Sequence, residues 1–142
     1  MRVYFDYNAT TPPSPEVVER VAAATRDLFG NASSVHHFGQ QAKAALDEAR
    51  SALATLIAAD PSEVVFTAGG TESDNAAIRG AAHAQRALGR GAHLVTTRIE
   101  HHAVLHAVEQ LEREGFSATY LPVDADGTVD LAALEAAITA ET

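Results

Sequence analysis

The chain has 142 residues, of which 46% are hydrophobic, and its 19 acidic and 10 basic residues give a formal net charge of −9. This length and hydrophobic content predict a folded domain rather than a disordered chain, while the negative charge, without any cluster of Lys and Arg, disfavours binding to nucleic acid or to an anionic membrane. Cysteine is absent, which excludes disulfides, thiolate zinc sites and a cysteine nucleophile within these residues.

The first 60 residues combine loops with helical patterns. Prolines and small polar residues near the start mark an ordered loop, and Val17, Val18 and Val21 recur at the spacing of a helix. A second, longer helical pattern ends before Asp60 and Pro61. The elements predicted here are a strand at 3–5, a loop at 6–13, a helix at 16–28 and a helix at 39–58.

From residue 64 onward the pattern alternates between strands and helices, which indicates the α/β class. The predicted elements are a strand at 64–67, a helix at 71–88, a strand at 92–97, a helix at 102–114, a strand at 117–123 and a helix at 131–139, with Asp130 as the cap of the last helix. A buried parallel sheet needs several neighbouring strands. We therefore expect either that another polypeptide completes the sheet or that these residues belong to a longer protein.

The turn at Gly69 and Gly70 carries the strongest chemical signal. Glycine lets the backbone adopt positive φ and approach a ligand, and a helix that opens immediately afterwards offers unpaired N–H groups and the positive end of its dipole. The pattern predicts an anion site that fits a phosphate. A P-loop is disfavoured, because it needs a lysine after the second glycine and this turn has none. A dinucleotide-binding motif is disfavoured, because it needs a third glycine that is also missing. An ordinary helix start capped by Thr71 or Ser73 is the alternative.

Seven histidines raise the alternative of a metal site. His102 and His106 are spaced i, i+4, with His101 beside them. A zinc-protease helix, however, needs a glutamate directly after the first histidine, and Ala103 stands there. We therefore predict no metal site and expect these histidines to be exposed polar side chains.

Four segments, in order and over nearly the whole chain, carry a family resemblance. They are the opening 4–12, the loop 30–39 (family pattern GNxSSxHxxG), the glycine turn 65–75, and the element 100–104 (family pattern E-H-x-A-V). Together they resemble the amino-terminal portion of cysteine desulfurases of the NifS/IscS type, which are pyridoxal-phosphate (PLP) enzymes of the class V aminotransferase group.

The resemblance implies an α/β fold, namely an incomplete PLP-transferase fold of type I. Residues 1–60 would form an amino-terminal segment of loop and helices that belongs to the small domain or to an interface. Residues 61–142 would form the first part of the PLP-binding large domain, with the first strands of its mostly parallel sheet, and would stop before the Schiff-base lysine.

The resemblance also implies roles for individual residues. Gly70 and Thr71 would bind the phosphate of pyridoxal 5′-phosphate, and His101 would lie over the cofactor ring and transfer protons, because imidazole takes and gives protons near neutral pH. Asn8, Asn31 and His36 are candidate loop or interface residues. Without the family match, His101 would be interpreted as a surface histidine at a helix start.

As a further implication, the substrate would be L-cysteine, converted to L-alanine with the sulfur carried as an enzyme persulfide for iron–sulfur cluster assembly or thio-modification. Relatives of this type are homodimers that pass sulfur to an acceptor or scaffold protein. The beginning of the chain lacks a signal-peptide pattern, and no apolar run approaches the roughly 18 residues of a membrane span. The expected location is therefore the cytoplasm.

In the family, the Schiff-base lysine, the aspartate at the pyridine nitrogen, the persulfide cysteine and the arginine that binds the substrate carboxylate belong to segments beyond residue 142. Lys43 is the only lysine here and lies at no motif position. We therefore expect the isolated chain to lack desulfurase activity. The alternative is a non-catalytic truncated paralogue or one half of a split enzyme of the class V group.

Overall fold

The computed structural model describes all residues, 1–142. Its elements in chain order are α1 (Pro15–Asp27), α2 (His37–Leu56), a short 3-10 helix (Pro61–Glu63), α3 (Gly70–Ala87), β1 (His93–Thr97), α4 (His102–Arg113), β2 (Ser117–Leu121) and α5 (Leu131–Ala137). They form two compact units, residues 1–65 and residues 66–142. None of the helices combines the length and the apolar character that a membrane crossing needs.

In the first unit, helix starts are set by local capping. The Ser14 hydroxyl accepts a hydrogen bond from the Val17 N–H at 3.5 Å, and Pro15, which has no N–H to satisfy, occupies the first helical position of α1. Asp60 and Glu63 form a reciprocal capping box around the 3-10 helix. The unit leaves large apolar side chains in contact with solvent, since Phe5 is 89% exposed and Val35 90% exposed.

The second unit is built on a strand–helix–strand crossover. Strands β1 and β2 pair in parallel, from His93 opposite Ser117 to Thr97 opposite Leu121. Helix α4 connects them, and its buried residues follow the spacing of a single helix face, which packs into the core with Phe116 and Leu121. The buried face of α4 comprises Ala103, Ala107, Val108 and Leu111.

Two predicted strands, at 3–5 and 64–67, are wrong, because both segments lack regular structure. A strand needs a partner for its backbone groups, and β-propensity alone does not supply one. The Tyr4 hydroxyl instead donates to backbone carbonyls of the following loop. In the second segment, the Val64 N–H donates to the Pro61 carbonyl, and the Val64 carbonyl accepts a hydrogen bond from the Arg50 guanidinium.

The remaining elements agree with the predictions to within a few residues at their ends, where helices fray and capping decides the boundary. Strand β2 ends at Leu121, two residues earlier than predicted, because Pro122 has no N–H to continue the ladder. Asp130 caps α5 as predicted, with its carboxylate accepting from the Ala132 N–H at 2.9 Å.

Candidate functional site

Helix α3 begins without a side-chain cap. Its N-cap is Gly69, which makes no side-chain capping bond, and the N–H groups of Gly70, Thr71 and Glu72 have no hydrogen-bond partner within the chain. Three aligned donors at the positive end of a helix are groups to which an anion can bind. The alternative in which Thr71 or Ser73 caps the helix is therefore wrong.

The two glycines serve the site by being small rather than by adopting a left-handed conformation. Gly69 has φ 168° and ψ 175°, which is extended backbone, and neither glycine lies in the left-handed region of φ, contrary to the expectation from the sequence. A Cβ at either position would meet no atom within 4 Å. The start of α3 is thus open to solvent on the side of both glycines.

The turn before α3 is held by side chains from the first turn of the helix. The Glu72 carboxylate accepts a hydrogen bond from the Ala68 N–H at 2.6 Å. The hydroxyls of Thr67 and Ser73 lie 2.6 Å apart, which closes the turn on its other side. The Thr71 hydroxyl makes no hydrogen bond within the chain and is free to bind an anion together with the open amides.

His101 is the N-cap of α4. Its Nδ1 accepts a hydrogen bond from the Ala103 N–H at 3.1 Å, and the side chain is exposed. Because Nδ1 acts as an acceptor, the proton of the neutral imidazole is assigned to Nε2. The cap therefore orients the ring and leaves Nε2 without a hydrogen bond within the chain.

The starts of α3 and α4 lie at the same end of the unit. Each helix is joined to the strand that follows it by a short connection, so each helix runs antiparallel to its strand. Because the two strands are parallel to each other, the two helices are also parallel to each other. His83 contacts Glu114 at 2.9 Å. Gly70 precedes His83 by 13 residues in α3, and His101 precedes Glu114 by 13 residues in α4. Each helix start therefore lies roughly 20 Å from the contact, at about 1.5 Å per residue.

The predicted site residues Gly70, Thr71 and His101 are thereby brought to one edge of the sheet, at the carboxyl end of β1. The two helices contact each other through Arg79, His83 and Glu114, and both starts lie at the opposite end of the unit from that contact. Ligands of α/β proteins bind at this edge because the loops after the parallel strands converge there. The arrangement can hold a phosphate at the start of α3 and has the imidazole of His101 at the same end of the unit.

Three other candidate residues lie in the first unit. Asn8 is exposed in the loop before α1. The Asn31 side-chain oxygen accepts from the Ser33 N–H at 2.9 Å, and His36 caps α2 by accepting from the Gly39 N–H at 3.3 Å on Nδ1. Asn31 and His36 therefore shape the loop that precedes α2. A role at an interface stays a prediction.

The histidines considered for metal binding are arranged as a ring stack. The rings of His102 and His106 stack with centroids 5.6 Å apart, and no group of three or more His, Cys, Asp or Glu side chains converges on a common point. This stack lies one residue beyond the capping histidine His101.

Glu114, which the sequence did not single out, joins α3 to α4. Its carboxylate contacts Arg79 at 3.3 Å and His83 at 2.9 Å, and its backbone carbonyl accepts a hydrogen bond from Arg86 at 3.0 Å. The hydrogen bond from Gln110 and the charge of Arg79 hold the pKa of Glu114 below its usual value. The sequence around Glu114 does not indicate this role, because Arg79, His83 and Arg86 lie in another helix.

This pKa shift predicts an acid-dependent loss of stability. A carboxyl group with a lowered pKa in the folded state stabilises it above its unfolded pKa of about 4.3, and the contribution disappears as the pH falls through the folded pKa. We expect Glu114→Gln to unfold at lower urea concentration than wild type at neutral pH, and the difference to shrink below about pH 4. Glu109→Gln, which removes an exposed carboxylate 3.8 Å from Arg113, is the control and should show little effect at either pH. If the difference in unfolding between Glu114→Gln and wild type did not shrink in acid, the stabilising role of the Glu114 carboxylate would be contradicted.

Comparison with known proteins gives consistent matches along the chain. The family model for aminotransferase class-V matches residues 3–142. The cysteine desulfurase IscS of Photorhabdus laumondii is 51% identical over 143 residues, covering 99% of this chain and 35% of that protein. The cysteine desulfurase IscS of Dictyoglomus turgidum is 47% identical over 140 residues, again covering 99% of this chain and 35% of that protein.

The solved structure of a NifS-like protein superimposes with a TM-score of 0.91 at 38% identity, covering 100% of this chain and 38% of that one. This likeness confirms the predicted α/β fold of PLP enzymes of fold type I. The chain spans about 35% of the length of the curated relatives it matches. The chain therefore belongs to the class V aminotransferases, a family of PLP-dependent enzymes, and resembles its IscS cysteine desulfurases from end to end.

Proposed function

We propose that residues 1–142 form the amino-terminal part of a PLP-dependent cysteine desulfurase. Such an enzyme converts L-cysteine to L-alanine and carries the sulfur as an enzyme persulfide for iron–sulfur cluster assembly or thio-modification. The observation that carries the proposal is the placement of an uncapped helix start and of His101 at one edge of the sheet. The likeness to IscS proteins over 99% of the chain supports it.

The residues present fit the phosphate of pyridoxal 5′-phosphate. Gly70, Thr71 and Glu72 offer open backbone amides, and Thr71 adds a free hydroxyl. A phosphate dianion satisfies several such donors at once and is favoured by the helix dipole. Gly70 and Thr71 would therefore bind the phosphate mainly through hydrogen bonds rather than through a cationic side chain.

His101 would hold a proton at Nε2 beside the cofactor. Its Nδ1 is engaged with the Ala103 N–H, so the ring is oriented before any ligand arrives and Nε2 is the atom available for proton transfer. The cofactor supplies, when bound, an electron-accepting ring that stabilises negative charge at the substrate Cα. The part of His101 in the reaction would be to give or take a proton at Nε2.

Other groups required by this chemistry are not among residues 1–142. The sequence has no cysteine, and Lys43, the only lysine, forms an exposed ion pair with Asp47 at 2.8 Å within α2. We infer that residues 1–60 belong to the small domain or an interface and that 61–142 begin the PLP-binding domain. The chain alone should therefore not release alanine from L-cysteine.

Phosphate binding at α3 can be tested with pyridoxine 5′-phosphate, which lacks the aldehyde and so cannot react with Lys43. We expect saturable shifts of the Gly70 and Thr71 amide signals in an NMR titration. Gly70→Pro should weaken binding by roughly tenfold, the size of one charge-assisted hydrogen bond. Proline at the first helical position removes this N–H but is compatible with the helix.

Gly80→Ala, at a position in the same helix where a Cβ meets nothing within 4 Å, is the matched control and should bind like wild type. Pyridoxine without the phosphate should bind much more weakly. Equal binding of pyridoxine and its phosphate ester, or shifts that avoid Gly70 and Thr71, would contradict the proposal.

A non-catalytic truncated paralogue or one half of a split enzyme is the second candidate. It is favoured by the apolar surface of the first unit, where Phe5, Phe29 and Val35 are at least 70% exposed, which is typical of a surface covered by a partner. Co-purification with a polypeptide that carries the missing lysine and cysteine would support the split enzyme. Homodimer formation, a sulfur acceptor or scaffold partner, and a cytoplasmic location remain predictions from the sequence.

A further inference from the structure

Glu72 occupies the third position of α3, where a glutamate normally completes a capping box. In that motif the N-cap side chain covers an amide of the first helical turn, while the glutamate reaches back to the N-cap N–H. Here the N-cap is Gly69, which has no side chain, and Glu72 reaches one residue further back, to the Ala68 N–H at 2.6 Å. Of the two hydrogen bonds of a capping box, only the one made by the glutamate is present, and it holds the loop before the helix.

The missing hydrogen bond is the one that would cover the amides of the proposed anion site. A Ser, Thr or Asp at position 69 would place an oxygen on the first-turn amides. With glycine there, the N–H groups of Gly70 and Thr71 stay open, and the bond from Glu72 engages a donor outside that set. The turn is thus held without using the donors that a phosphate needs.

Such a bond helps to order the turn because its two glycines have no side chains that could pack. A Cβ at Gly69 or Gly70 would find no atom within 4 Å, and glycine has more backbone freedom to lose than any other residue. Apart from Glu72, the side chains that tie the turn are the hydroxyls of Thr67 and Ser73, which lie 2.6 Å from each other and within 3.2 and 3.3 Å of the Gly69 carbonyl oxygen. Without Glu72, binding a phosphate would carry the additional entropic cost of ordering the turn.

We propose that Glu72 is a positioning residue that holds the 67–70 turn in the shape that leaves the α3 amides free for the cofactor phosphate. This inference rests on the proposed function. The length of the Glu72 side chain is what allows the hydrogen bond to the Ala68 N–H, and its negative charge is not required. The charge even opposes a phosphate dianion bound close by.

Two substitutions at this position separate reach from charge. Glu72→Asp keeps the charge at the helix start but shortens the side chain by one bond, about 1.5 Å, so that the carboxylate no longer reaches the Ala68 N–H. Glu72→Gln keeps the reach and an oxygen acceptor but removes the charge. Both residue types are tolerated in a first helical turn, so both variants should fold, as circular dichroism will show.

The test is an NMR titration of the 142-residue chain with pyridoxine 5′-phosphate, together with amide hydrogen exchange at Ala68. We expect Glu72→Asp to weaken binding roughly tenfold and to speed exchange at Ala68, and Glu72→Gln to stay within about twofold of wild type in both measurements. Glu16→Asp, in the first turn of α1, is the matched control and should bind like wild type.

The outcomes distinguish this inference from the proposed function. If wild type itself does not bind the phosphate ester at α3, the proposed function is overturned and this inference with it. If wild type binds and Glu72→Asp binds equally well, only the role of Glu72 is overturned. Binding of Glu72→Gln as weak as that of Glu72→Asp would likewise overturn it, because the charge would then be required.

Discussion

Gly39→Ala is expected to destabilise the 1–65 unit by about 2 kcal/mol, in spite of the usual gain when alanine replaces glycine in a helix. Gly39 is buried in the first turn of α2. A Cβ there would lie 2.3 Å from the Ser34 carbonyl oxygen and 2.7 Å from the Asn31 carbonyl oxygen. Both are backbone atoms, so no side-chain rotation relieves the overlap and the loop has to move away from the helix.

The displaced loop would carry His36 and Asn31 with it. The Gly39 N–H is the donor for the His36 cap, so α2 would lose its cap at the same time, which adds to the cost. The measurement is urea unfolding followed by circular dichroism.

Gly80→Ala provides the matched control for this substitution. Gly80 lies within α3, where an added Cβ meets nothing within 4 Å, and the replacement should stabilise by about 0.5–1 kcal/mol. If both variants shifted the unfolding midpoint in the same direction, the close approach of loop and helix at Gly39 would be refuted.

Leu111→Ala is expected to cost about 3 kcal/mol, within the range observed for fully buried leucines. Leu111 has 0% exposure and lies on the face of α4 that packs against the sheet. Truncation removes several buried methyl groups and leaves a cavity that the rigid crossover does not refill. Since α4 carries His101 at its start, the same variant should also broaden the NMR signals around His101.

Leu131→Ala serves as the control, because Leu131 is 71% exposed at the start of α5 and should lose less than about 0.5 kcal/mol. Thermal and urea unfolding of both variants give the comparison. A Leu111→Ala protein that is no less stable than Leu131→Ala would show that α4 does not form the core of the unit.

The helices were predictable because their signals are local. Apolar residues recur every three to four positions, and caps such as Ser14 and Asp130 stand directly before the helices that they cap. The strand at 64–67 was not predictable in the same way. Its apolar residues have the composition of a strand, but a strand exists only where a partner accepts its backbone hydrogen bonds, and in this chain Arg50 takes the Val64 carbonyl.

For the candidate site, the sequence pointed to the start of α3, where the structure leaves backbone amides uncovered, but one of its reasons was wrong. Gly69 and Gly70 were expected to use positive φ, whereas they remain in conformations open to any residue and matter because they leave amides uncovered. Glu72 carried a readable signal, a glutamate at the third helical position. Glu114 carried none, since it acts through Arg79 and His83 in another helix.

By itself, the sequence determined the α/β class and the family and predicted an anion site at the Gly70 turn, because periodicity, capping and short motifs depend on residues close together in the chain. Only the tertiary structure decided that the starts of α3 and α4 lie at the same end of the second unit, that Nδ1 of His101 is committed to a helix cap, and that two predicted strands do not form. These outcomes depend on which distant backbone and side-chain groups become hydrogen-bond partners, and that choice is made only when the chain packs.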